Sequence, residues 1–304
     1  ATNNTLFGKD AGNDITTGDD NTAIGVNALA LNTTGSENVA IGKQSLDANT
    51  TGIKNVAIGK YSLSGNTTAN YNTAVGDQAL FINSTGSANV AVGRNAMYAN
   101  TTGNNHVAVG NFALDANTTG ADNVAIGVNA LTDNTTGTYN TALGAYAVQN
   151  NTTASYNTGL GYGALADNTT GYANTAAGYL SGSNITTAWG CTTIGSSAGI
   201  ALTTGQDNTC IGYVAGASLT TGTQNCLVGV SAGDSLTTAL NSNAFGFQAL
   251  ETGTTTSESN AFGYHALKSC TGNTNAGFGH LAGKFITSGR QNTCIGSHAP
   301  GYDI

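Results

Sequence analysis

The chain has 304 residues, only 8% of them charged, and a net charge of −8. An ordinary domain is roughly 25% charged, and so polar yet weakly charged a chain fits neither a standard globular core nor a phosphate-binding surface. The sequence shows no apolar run long enough for a membrane-spanning helix, so membrane insertion is not expected.

Glycine recurs from the first residues onward. Gly8, Gly25, Gly42 and Gly59 begin a series of 17-residue steps that passes through Gly127 and reaches Gly263. One 16-residue step then gives Gly279, and a 17-residue step gives Gly296. The series makes 18 repeats, and a fixed short period of this kind is the mark of a solenoid. The expected fold is all-β, a parallel β-solenoid or β-roll of 18 coils forming a single repeat domain over 1–304. At about 4.8 Å per coil the stack would be roughly 85 Å long. The chain opens at Ala1 without Met, as a processed protein or an excerpt would.

Numbering each repeat from its glycine as position 0, the unit reads Asn(−4), Thr/Val, Ala, Ile/Val, Gly(0), two variable residues, Ala(+3), Leu(+4), then Asn(+7), Thr, Thr, Gly(+10). In the second repeat these are Asn21, Thr22, Ala23, Ile24, Gly25, Ala28, Leu29 and Asn32. The β-branched segment from −4 to −1 predicts a short strand. Its −1 residue, Ile24, is expected in the core with part of −3. The invariant glycine implies a backbone angle or an approach that only Gly allows. Position +3 is Ala or Ser throughout, so a tight contact is expected there.

Positions +4 and +7 are coupled. Leu29 accompanies Asn32 and Met97 accompanies Asn100, whereas Gly182 accompanies Ile185 and Gly199 accompanies Leu202. Both positions should share one core slot that holds one large aliphatic group, since two would overpack it and none would leave a cavity. Between strands, Asn-Thr-Thr-Gly is turn chemistry. The missing residue before Gly279 should be absorbed by that turn without a shift of register.

The same Asn column forms sequons at Asn32, Asn49, Asn66, Asn83, Asn100, Asn117, Asn134, Asn151 and Asn168. A row of N-glycans is one reading. A buried Asn ladder is the other, and it is favoured because Asn vanishes where +4 becomes Gly. The Thr columns at +8 and +9 suggest an ice-binding array, against a hydrogen-bonded turn ladder. In later repeats aromatic residues gather at +1, namely Tyr162, Tyr179, Tyr213, Phe247 and Tyr264. With Trp189 they would form a carbohydrate-stacking strip or, the favoured reading, a lateral packing face.

Cys191, Cys210, Cys226, Cys270 and Cys294 show no CxxC spacing, which argues against zinc, and their odd number fits poorly with a disulfide framework. They read as small buried hydrophobes. His106 sits in the −4 Asn column as a substitute. No catalytic constellation, phosphate loop or calcium-binding repeat is present, so neither an enzyme nor a cofactor or metal is expected.

Asn38-Val39-Ala40-Ile41-Gly42, Asn123-Val124-Ala125-Ile126-Gly127 and the run from Asn241 to Gly246 resemble the head repeats of trimeric autotransporter adhesins. Similar repeats occur in phage tail fibres and other extracellular fibres. The resemblance implies a left-handed β-roll, lateral trimers, and an adhesive or structural fibre at a cell or virion surface, with a glycan or protein receptor. Both ends read as ordinary repeats, so they are expected to be covered by flanking sequence or by the next subunit of an end-to-end filament. The function classes that remain are fibre segment, polymerising filament subunit and ice-binding solenoid.

Overall fold

The structure, a computed structural model, describes residues 2–300. It shows 18 strands, one per coil. They fall in two compact units, one ending at Ser155 and the other starting at Tyr156. The first holds β1 (Thr5–Phe7) to β9 (Thr141–Leu143), the second β10 (Thr158–Leu160) to β18 (Thr293–Ile295). Within each unit successive strands pair parallel and in register. Thus Thr22, Ala23 and Ile24 face Val39, Ala40 and Ile41, and Thr158, Gly159 and Leu160 face Thr175, Ala176 and Ala177. The fold is an all-β parallel solenoid with a 17-residue repeat, as the glycine series predicts.

Each strand has three residues, −3 to −1, rather than four. Side chains alternate along a strand, and here it is −2 that points inward. Ala23 and Ala40 are fully buried, whereas Ile24 and Ile58 are 36% and 38% exposed. This corrects the expectation that −1 enters the core. The interior is narrow, and the +4 leucines already fill it: Leu29, Leu46 and Leu63 are all buried. Alanine therefore fits at −2, and the β-branched residues stack coil on coil along the outer face.

The repeat glycine has both properties expected of it. Gly25 and Gly42 have φ of 136° and 132°. A Cβ on Gly25 would lie 2.5 Å from the carbonyl oxygen of Gly42 in the next coil. Ala28, at +3, is completely buried.

The shared core slot is present and has three walls instead of two. A Cβ at Gly233 (+4) would meet both Leu236 Cδ1 (+7) and Leu227 Cδ2 (−2), each at 2.8 Å. Where +4 shrinks to Gly, +7 becomes aliphatic, and −2 grows to Thr193, Cys210 and Leu227 in three successive coils, all fully buried. Position +4 is also left-handed. Leu29 and Leu46 have φ of 53° and 51°, a conformation disfavoured for a side chain of this size. Asn27 (+2) and Glu37 (−5) are left-handed too, at 55° and 57°.

The short coil keeps register. Asn260, Ala261 and Phe262 face Ala276, Gly277 and Phe278. The lost residue is the second threonine of the turn. Gly272 takes the place of the +10 glycine, and its carbonyl accepts a hydrogen bond from Asn275 Nδ2 at 3.0 Å.

Candidate interaction surfaces

The turn asparagines form a buried ladder. Asn32 Nδ2 donates to the Gly35 carbonyl at 2.8 Å, and Asn49 Nδ2 donates to Asn32 Oδ1 at 2.8 Å. Asn66, Asn100 and Asn117 continue it in the same way. All nine sequon asparagines have 0% exposure. A glycan needs an exposed amide, so this burial favours the ladder, the preferred reading of the column, over a row of glycans. A second ladder runs along −4, where Asn38 N–H donates to Asn21 Oδ1 at 3.0 Å and Asn38 Nδ2 to the Gly52 carbonyl at 2.9 Å.

His106 replaces Asn within that second ladder. Its Nδ1 accepts the Asn123 N–H at 3.1 Å, so Nε2 carries the proton and donates to the Gly120 carbonyl at 2.7 Å. Both ring nitrogens are thereby engaged in the neutral form. Burial pushes its pKa below the usual imidazole value, against the weaker opposing pull of those hydrogen bonds.

The two Thr columns separate. The +8 hydroxyls are half-buried and turned along the stack, as where Thr33 Oγ1 donates to the Thr50 carbonyl at 3.0 Å. The +9 residues, such as Thr34, Thr51 and Thr68, are exposed. Neither column belongs to a strand, and only one row faces solvent.

The +1 aromatic residues are exposed, and most of them stack along the column. Tyr162 and Tyr179 have centroids 5.6 Å apart, and Phe247 and Tyr264 5.4 Å apart. Tyr264 stacks in turn on His280 at 5.2 Å. Tyr213 is flanked in its column by Ser196 and Val230. Rings stacked face to face offer edges outward, whereas a sugar docks on ring faces. Trp189 does not join the row; it stacks on Tyr172 at 5.8 Å, in the −6 column. Missing from the sequence reading is a second aromatic row at −1. Phe245, Phe262 and Phe278 stack at 4.8 and 5.0 Å, and their common offset was the signal for it.

The first unit uses the same +1 column differently. It carries Lys9, Lys43, Lys60 and Arg94, all exposed. The shared offset is visible in the sequence but was masked by the overall acidity. Lys60 Nζ lies 4.8 Å from the Tyr61 ring centre, and Arg94 Cζ lies 5.1 Å from that of Phe112.

All five cysteines are free thiols. Cys210, Cys270 and Cys294 are buried, and Cys191 takes an Asn place with its Sγ 3.3 Å from the Gly205 carbonyl. Cys226 is the exception, half-buried on the outer strand face. Among the described residues no group of three His, Cys, Asp or Glu is placed to hold a metal, and no helix is long and apolar enough to cross a membrane.

The chain matches no protein-family model and no curated protein.

Proposed function

We propose that this chain is a non-enzymatic structural and adhesive segment of an extracellular fibre, of the kind found in trimeric autotransporter adhesin heads and phage tail fibres. In this reading it lies at a cell or virion surface, associates laterally with copies of itself, and contacts a glycan or protein receptor. It needs no cofactor.

One observation carries the reading. The −1 row of the outer strand face is apolar coil after coil, with Ile24, Ile58 and Ile126 exposed by 36–38%. Val39, Val56 and Val90 at −3 accompany them, half-buried. A continuous exposed apolar face marks an association surface. Because its rows repeat every coil, a second copy of the chain matches it coil for coil.

Light scattering on the purified full chain tests this. A defined lateral oligomer, trimeric in the adhesin reading, supports it. Ile58→Lys with Val92→Lys should dissociate that oligomer while leaving the circular-dichroism spectrum unchanged. A stable wild-type monomer at micromolar concentration would overturn lateral association.

A further inference from the structure

The first unit is acidic, yet four of its five cations lie in one column. Lys9, Lys43, Lys60 and Arg94 all occupy +1, and only Lys54 lies elsewhere, at −5. The carboxylates of the unit avoid this column, Asp77 excepted. In-register pairing of the strands just before them sets these cations in a single row at about one strand spacing per coil. Lys9 to Lys43 and Lys60 to Arg94 are each two coils, about 9.6 Å on that spacing.

Among the described residues no cation of the row is held in an ion pair, and Asp77, between Lys60 and Arg94, is the acidic residue within it. The ion pairs among those residues are Lys54 with Glu37 and Lys268 with Glu251. Aromatic rings hold two of the cations instead. Tyr61 lies under Lys60 and Phe112 under Arg94, which restricts the side chains without cancelling their charge.

We infer that this row binds a linear anionic glycan, sulfated or carboxylated, lying along the direction in which the coils stack. A flexible chain with charged groups at disaccharide-scale intervals can pair with cations spaced one to two coils apart. Single-stranded nucleic acid fits less well, because base stacking needs free ring faces. Those of Tyr61 and Phe112 are taken by the cations, and Tyr61 packs edge-on with Phe81 at 6.1 Å. The inference rests on the adhesive reading above and names its ligand class.

The test is binding of the full chain to immobilised heparin and hyaluronan, with neutral dextran and a single-stranded DNA oligomer in parallel. Heparin or hyaluronan should bind, with affinity that falls steeply with salt as expected for a multiply charged contact. The variant Lys9→Gln, Lys43→Gln, Lys60→Gln, Arg94→Gln should lose at least tenfold in affinity with an unchanged circular-dichroism spectrum. Asp77→Asn should gain several-fold. Absence of binding, equal binding by the fourfold variant, or DNA bound as tightly as heparin would each overturn the inference. Oligomeric state is read separately. A monomer that binds heparin overturns lateral association alone; a trimer that ignores it overturns the glycan assignment alone.

Discussion

The two units build the same coil backbone around different interiors. In the first, from the second coil onward, Ala at −2 and one large apolar residue at +4 fill the slot. A polar Asn ladder then runs without a break from Asn32 to Asn151. In the second, five coils carry Gly at +4, four in succession from Gly182 to Gly233 and then Gly283, and bury Ile185, Leu202, Leu219, Leu236 and Ile286 at +7 instead. The difference shows how strain and hydrogen bonding trade against apolar burial. A left-handed Leu is strained by roughly 1–2 kcal/mol relative to a right-handed one, and the Asn beside it contributes ladder hydrogen bonds. A left-handed Gly removes the strain, and the aliphatic group moves three residues along the chain.

What both interiors share should be the most fragile feature. Gly42→Ala in the first unit and Gly212→Ala in the second both drive a Cβ into the carbonyl of the next coil's glycine. Each is expected to cost more than about 4 kcal/mol. Thermal unfolding followed by circular dichroism should show equal losses. A tolerated Gly212→Ala alone would mean that the second unit is the looser one.

Converting one interior into the other comes next. Leu63→Gly should cost about 3 kcal/mol through its cavity. Adding Asn66→Leu should restore more than half of that, because Leu63 and Asn66 line one slot. A double-mutant cycle reads the coupling directly. Simple additivity would show that the two side-chain sets are not exchangeable.

The first unit should also lose stability in acid through His106. Its folded pKa is depressed, so the unfolded chain takes up protons first. The contribution is full above about pH 6.5, the ordinary imidazole value, and declines as pH falls through the lower folded one. His106→Asn, which restores the column, should flatten that part of the stability–pH curve. An unchanged slope in the variant would assign the acid sensitivity elsewhere.

Asp115 works in the opposite sense. Burial, with Asp133 nearby, raises its pKa to about 6. Its contribution is favourable below the unfolded value of 3.8 and is lost as pH rises through about 6, leaving a strained carboxylate at neutrality. The residue is only partly buried, so solvent screening reduces the effect to the order of 1 kcal/mol. Asp115→Asn should stabilise by that amount at pH 7 and by nothing at pH 3.5.

The smallest effect lies in the second unit. Thr193 stands at the inward −2 position, fully buried, and its hydroxyl has no hydrogen-bond partner. Thr193→Val keeps the shape and removes the unsatisfied group, for a gain of about 0.5–1 kcal/mol in chemical denaturation.

Coil length, register, the +3 contact and the coupled slot were legible in the sequence because each leaves a chemical necessity at a fixed offset. Gly42 leaves no room for a Cβ, and Leu29 or Ile185 fills a volume that its partner must leave empty. The face of the strand was not legible. Ile24 is more apolar than Ala23, and hydrophobicity alone sends it inward; only the volume already taken by Leu29 reverses the choice. The left-handed positions were hidden for a related reason. Asn27 and Asn129 hint at the conformation at +2, but Tyr61, Phe112 and Val214 adopt it as well, held there by the coil rather than by their own preference. Of the surfaces, the +1 aromatics of the second unit could be read from spacing. The cation row of the first could not be weighed until the ion pairs were known.

The 16-residue coil ending at Gly279 bears on how such chains change over generations. Its missing threonine leaves the strands in register, because the turn between +8 and +10 takes up the loss. Insertions and deletions of single residues should therefore survive selection in that turn and nowhere else in the coil. Because the strand of one coil can receive that of any other in the same register, unequal recombination between coils would lengthen or shorten the gene without inventing a new interface.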